Sequence, residues 1–209
     1  MKAIEIYSDG HHRWLVLGRD PEKPDSIIDT NQYVVITNNN VLMMDPGGIE
    51  LFPAMLSAII KHAPIEKITH LFASHQDPDI ISSLGLWDQA LPNATLHSPW
   101  LWESFIRHFG MNNISFNGIP DPGSELTLDR TKLTFFPAHY LHSSGNFNVY
   151  DPEAKILMSG DIGAAIEHAE APMFVDDFDE HAKKMKLFHQ RWMPSNSAKN
   201  DWVKRARKL

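Results

Sequence analysis

The sequence predicts an α+β domain with β sheets packed inside and helices outside. Three observations carry this prediction. Short runs of β-branched and large apolar residues, separated by turn residues, fill the first quarter of the chain. Strand-like and helix-period segments then alternate to about residue 109. A second run of short strands follows, and two helical stretches close the chain. A length of 209 residues suits one large domain, and no repeat, low-complexity tract or linker divides residues 1–209.

Taken in order, residues 2–7, 13–17, 33–38 and 41–45 read as strands. Their turns are Asp9-Gly10, the proline-bounded stretch 21–24 and Asn38-Asn39-Asn40. After the tight turn Asp45-Pro46-Gly47-Gly48, Leu51, Phe52, Met55, Leu56, Ile59 and Ile60 recur at helical spacing, which predicts an amphipathic helix over 49–62. A strand over 67–74, a helix over 80–91, a strand over 94–98 and a helix over 100–109 follow, and then a polar link to about Gly123. Residues 125–128, 132–137, 146–151 and 155–159 form the second group of strands, and 175–192 and 197–209 the closing helices.

Composition excludes several classes. Hydrophobic residues at 43% and charged residues at 22% are ordinary globular values, which rules out disorder, collagen and coiled coil. The longest apolar stretch, 51–60, is interrupted by Pro53 and Ser57, so no membrane span is expected. The opening MKAIEIYSDGHH has no apolar signal core, which predicts a cytoplasmic protein. With no cysteine, any metal must be held by His, Asp and Glu. A net charge of −7 argues against a nucleic-acid binder, and the basic stretch 199–208 reads as the positive end of a helix.

Most of the twelve histidines read as surface or core residues, among them His11, His12, His62, His70, His97, His108, His168, His181 and His189. Position singles out others. The strand ending at Ser74 runs into His75-Gln76-Asp77-Pro78-Asp79, a His-x-Asp-x-Asp series where open α/β sheets place ligands. The same residues also suit a plain helix start, with Asp77 as N-cap and Pro78 in the first turn. Farther on, strands 146–151 and 155–159 form a hairpin that brings His142 and Asp161 out at one end, although the count alone leaves His139 eligible beside His142. Asp161 follows the apolar run Ile156-Leu157-Met158, where an unpaired carboxylate is costly and a cation relieves the cost. The combined set His75, Asp77, Asp79, His142 and Asp161 has more oxygen than nitrogen donors, which suits iron or manganese better than zinc. Five ligands exceed one tetrahedral ion. Two ions sharing Asp161, with one bridging hydroxide, balance the three carboxylates.

These stretches, with Asp45-Pro46-Gly47-Gly48, Ala138-His139-Tyr140-Leu141-His142-Ser143-Ser144-Gly145-Asn146-Phe147, Ser159-Gly160-Asp161-Ile162-Gly163-Ala164-Ala165 and Arg191-Trp192-Met193-Pro194-Ser195-Asn196, resemble the metallo-β-lactamase fold superfamily. Within it the likeness is to flavodiiron proteins, and most closely to stand-alone oxygen-binding di-iron proteins. It covers essentially the whole chain in order. The resemblance implies a four-layer αββα sandwich carrying two iron ions, cycling between Fe2+ and Fe3+ and bridged by Asp161 and an oxo or hydroxo group. It implies that His75, Asp77 and His142 hold one iron, Asp79 serves the other, and His139 stands behind the ligands.

Two departures qualify the resemblance. Zinc hydrolases of the superfamily carry His-x-His-x-Asp-His, whereas this chain has Asp77 third and Ile80 sixth, with Ile80 expected to line an apolar open coordination position. The family pattern also continues into a strand and loop bearing one more metal-binding histidine, so the domain 1–209 is expected to lack that segment. No glycine-rich phosphate loop follows a strand, so no flavin is expected. The implied function is O2 binding, as a sensor or carrier or as a slow O2 or NO reductase served by an external electron donor or signalling partner, in a homodimer by analogy. The alternative is a metal-dependent hydrolase of esters, thioesters or lactones.

Overall fold

The computed structural model describes residues 1–209 apart from 21, 24, 25, 29 and 168–170. The expected turn at 21–24 therefore lies partly, and His168 wholly, outside the described residues. Two sheets face each other. The first has seven strands in chain order, β1 Ala3–Ser8, β2 Arg13–Leu17, β3 Gln32–Ile36, β4 Val41–Met44, β5 Ile68–Phe72, β6 Thr95–Pro99 and β7 Ser115–Ile119. It is antiparallel from β1 to β4 and parallel from β4 to β7. The second is antiparallel, β8 Ser124–Leu128, β9 Thr131–Pro137, β10 Phe147–Asp151 and β11 Ile156–Met158, in the order β11-β10-β9-β8.

Period-two alternation of apolar residues builds both cores from the same strands. On β4, Val41 and Met43 pack under the helices while Leu42 and Met44 pack between the sheets. Val34 and Ile36 against Val35 on β3 repeat the pattern. Both faces of the first sheet are buried, which is why its strands read as near-continuous apolar runs. Helices α1 Phe52–Ile59, α2 Pro78–Ile81, α3 Leu84–Ala90 and α4 Glu103–Ile106 contribute buried apolar residues to the first core, including Met55, Ile81, Trp87 and Ile106. Helices α5 Phe178–Trp192 and α6 Asn196–Ala206 follow the second sheet, capped by Asp177 and Ser195, whose side chains accept from Glu180 N and Ala198 N. Trp202 Nε1 donates to Asn148 Oδ1 at 2.9 Å and Arg205 Nη1 to the Pro137 carbonyl at 2.9 Å, which ties α6 to the second sheet. The result is the αββα arrangement, and no described helix is long and apolar enough to cross a membrane.

Three expected elements differ. The polar link before Gly123 contains β7, which pairs parallel with β6; Asn117 and Gly118 hide it from an apolar pattern, and ladder bonding supplies what its side chains do not. The helix expected over 80–91 is split between α2 and α3. Ser83 Oγ donates to the Pro46 carbonyl at 2.9 Å and Ser82 Oγ accepts from Ile49 N at 2.9 Å, so both serines are anchored in the turn after β4. The helix over 100–109 is a single α turn between two 3-10 turns, ended by Gly110 at φ +84°.

Candidate metal centre

The carboxyl ends of β4 and β5 and the loops flanking the β10–β11 hairpin meet at one rim of the sandwich. Asp45, just past β4, sits in the left-handed region at φ +51°, which Asp tolerates better than most residues. Its buried carboxylate accepts from Ser74 N and Ser74 Oγ, both at 2.8 Å. Ser74 Oγ gives its proton to Asp45, so its oxygen accepts from His75 Nδ1 at 2.8 Å. That relay aims His75 Nε2 into the rim.

His75 is 1% exposed, and its Nε2 has no hydrogen-bond partner. Asp77 Oδ2 and Asp161 Oδ2 both stand 3.6 Å away. His142 Nε2 reaches the same two oxygens, at 3.2 Å and 3.1 Å. Asp77 marks the N-terminus of α2, but its side chain caps nothing there. Gln76 Nε2 donates to Asp77 Oδ1 at 3.0 Å, Ser143 Oγ donates to Gln76 Oε1 at 2.7 Å, and Asp77 Oδ2 is left for the histidines. The ordinary helix-start interpretation of Asp77 is therefore half right: the backbone obeys it and the carboxylate does not.

Electrostatics follow from the crowding. Burial alone pushes the His75 imidazole down, but the carboxylates of Asp161 and Asp77 raise it to about 10. The Asp161 and Asp77 hydrogen bonds raise His142 to about 9. Burial opposes the charge on Asp77 and Asp161, yet His142 and His75 hold both well below the usual carboxylate range. Asp79 has no such partner: burial and the nearby charge of Asp161 push its carboxyl up. Burial also raises Asp45, to about 6.

A metal ion fits this rim. An orphaned, buried Nε2 faces two carboxylate oxygens beyond hydrogen-bond distance, which is room for an ion that all three would ligate. Ligand atoms of His75, Asp77 and His142 lie within 4.8 Å of one another. A second cation nearby would relieve the Asp79 carboxylate, which burial and the charge of Asp161 disfavour. The oxygen-rich donor set matches iron or manganese better than zinc.

The structure thus brings His75, Asp77, His142 and Asp161 together, with Asp79 in their field. His139 is turned elsewhere: its Nε2 meets the Asp121 carbonyl at 2.9 Å and its ring packs edge-on against Phe147. Ile80 is 2% exposed and belongs to the core beneath the helices, so the aromatic surface beside the site is the Trp192 ring, 5.5 Å from that of His142. His189 holds the 161–163 turn, accepting from Gly163 N at 3.1 Å while its Nδ1 donates to the Met185 carbonyl. Sequence alone does not single out Asp45, Ser74, Gln76 and Ser143 as site residues. The signal that marks Asp45 is a charged residue directly after four buried strand residues, followed by Pro-Gly-Gly.

Comparison with known proteins agrees with this architecture. The structure of the peroxy diiron species of chemotaxis sensor ODP is 32% identical, with a TM-score of 0.87 over 100% of this chain and 83% of that one. The apo state of chemotaxis sensor ODP from T. denticola is 33% identical, with a TM-score of 0.88 over 99% and 82%. The flavodiiron protein from Giardia intestinalis, 22% identical with a TM-score of 0.77 over 86% of this chain and 44% of that one, shares the fold. No curated protein matches the chain. The model of the ODP family of beta lactamases matches residues 28–209, and the chain belongs to that family.

Proposed function

We propose that this chain is a non-haem di-iron protein that binds O2 and serves as an oxygen sensor or carrier. His75, Asp77 and His142 hold one iron, Asp79 serves the second, and Asp161 is shared. The observation that carries the proposal is the convergence of Asp77 Oδ2 and Asp161 Oδ2 on two imidazole Nε2 atoms at 3.1 to 3.6 Å. The 32% identity to a chemotaxis sensor with a di-iron centre supports it. When bound in the ferrous state, the two irons supply the electrons that O2 accepts.

The chain's own residues do the positioning. The Asp45–Ser74 relay keeps a proton on His75 Nδ1 and so leaves Nε2 as the donor atom. Gln76, fixed by Ser143, presents one oxygen of Asp77 and occupies the other. The Trp192 ring stands beside His142, 5.5 Å away and tilted against it. An external donor or signalling partner completes the function, in a homodimer and in the cytoplasm; slow reduction of O2 follows if that donor delivers electrons.

The test is spectroscopic. Iron-loaded protein reduced without oxygen and then exposed to O2 is expected to develop a visible charge-transfer band, with two irons per chain by metal analysis. Absence of the band in iron-replete protein refutes the proposal.

A further inference from the structure

At the other end of the β10–β11 hairpin, a second cluster joins the two sheets. The turn between β1 and β2 supplies Asp9 and His12, β10 ends in Asp151, and the turn after it supplies Glu153. His12 is 1% exposed. Its Nε2 lies 2.8 Å from Asp151 Oδ2, which also accepts from Trp14 Nε1 at 2.7 Å, while Asp151 Oδ1 accepts from Glu153 N and Ala154 N at 2.9 Å and 3.0 Å. All of these donors treat Asp151 as an acceptor, so the proton of the His12–Asp151 bond belongs to His12 Nε2.

That leaves His12 Nδ1 to take either a metal ion or a second proton. It is buried and has no hydrogen-bond partner. Asp9 Oδ2 stands 3.3 Å from it, with Asp9 Oδ1 already held by His11 N and His12 N at 2.7 Å and 2.9 Å. A ligand oxygen of Glu153 completes a trio of donor atoms within 4.8 Å of one another. A lone pair pointed at one carboxylate with a second beside it is repulsive unless a metal cation or a second ring proton lies between them. Among the described residues, no lysine or arginine forms an ion pair with Asp9, Asp151 or Glu153.

We propose that Asp9, His12 and Glu153 form a second metal site that binds one first-row divalent transition ion of the Zn2+ type. Asp151 orients His12 from behind in the carboxylate–histidine–metal manner. The imidazole selects a transition ion over Mg2+ or Ca2+, and three protein ligands leave a position open to water. Two ligands come from the first sheet and one from the second, so the ion ties the sheets together at the rim opposite the candidate iron site.

The experiment titrates Zn2+ into the full chain carrying 15N-labelled histidines, with zinc per chain measured in parallel. His12 Nδ1 is expected to shift as a metal ligand while its Nε2 stays protonated. Glu153→Gln and Asp9→Asn, both at exposed positions, are each expected to bind one zinc fewer per chain and to leave the His12 signal unmoved, while the signals of His75 and His142 respond as in the parent. Zinc should also raise the melting temperature of the parent more than that of either variant, with circular dichroism confirming that the variants fold. A proton retained on His12 Nδ1 at saturating Zn2+ would show an imidazolium in place of the ion and overturn the proposal. So would equal zinc content in the parent and the folded Glu153→Gln protein.

Discussion

The two rims of the sandwich use one device in mirror image. At the first, Asp45 holds His75 through Ser74 at Nδ1, and Nε2 faces the carboxylates. At the second, Asp151 holds His12 directly at Nε2, and Nδ1 faces them. In both, a buried acceptor settles which nitrogen keeps the proton, and the other nitrogen faces the carboxylates. The difference lies in supply. The first rim gathers two imidazoles and three carboxylates from distant segments, while the second has one buried imidazole and two hairpin turns. The donor sets are those of the two proposals, a pair of ions at the first rim and a single ion at the second.

Substitutions can break this comparison. The largest effect is expected from Asp161→Ala, which removes the oxygen that both His75 and His142 address; iron affinity should fall by more than ~100-fold, read by dialysis against a competing chelator. Asp45→Asn should follow. Its amide would donate to Ser74 Oγ, the hydroxyl would then donate to His75 Nδ1, and Nε2 would carry the proton instead of the metal. Iron affinity weaker by about 10- to 100-fold with the fold intact is the expected result. Iron bound by Asp45→Asn as tightly as by the parent would show that the relay does not act on the metal.

A second imidazole pair, His70 and His97, sharpens the contrast, because no carboxylate is among the causes of its shifts. His97 Nδ1 accepts from Asn117 Nδ2 at 2.9 Å, so its Nε2–H faces His70 Nδ1 at 3.0 Å. Burial, then the neighbouring His70, lowers His97 from 6.5 to about 4. The unfolded chain takes up this proton more readily than the folded one. The stability contributed by the neutral ring is therefore full above pH 6.5 and is lost as pH falls toward 4, by about 3 kcal/mol. Denaturant midpoints between those pH values should fall more steeply for the parent than for His97→Gln; equal slopes would mean that the ring titrates normally. The smallest effect is expected at His139, whose ring meets the Asp121 carbonyl and Phe147 and no carboxylate of the site. His139→Asn should change iron affinity by less than about twofold, and a larger loss would return it to the space behind the ligands.

Much of the fold was legible because burial on two faces leaves a mark in one dimension: β2, β3 and β4 are nearly continuous apolar runs, and β9 to β11 are spaced by turn residues. β7 and the break between α2 and α3 were not legible. A parallel ladder to β6 makes the first, and bonds from Ser82 and Ser83 to the turn at residues 46–49 make the second. Ile80 shows the limit at the site, since its place in the His-x-Asp-x-Asp series says nothing about which face of α2 the core claims.

The sequence by itself determined which donors this protein has to offer: no thiolate, and carboxylates and imidazoles concentrated after strand ends, where chain geometry alone brings His75, Asp77 and Asp79 into one turn and either His139 or His142, with Asp161, to one end of a hairpin. Only the tertiary structure decided which nitrogen of each ring is free, that Gln76 and Ser143 turn one Asp77 oxygen inward, and that His12, to all appearance an ordinary turn histidine, sits against Asp151 from the other sheet. The physical reason is that residue type and spacing along the chain specify a donor atom, whereas the proton on that atom is set by a partner 29 residues away in Asp45–Ser74 and 139 away in His12–Asp151.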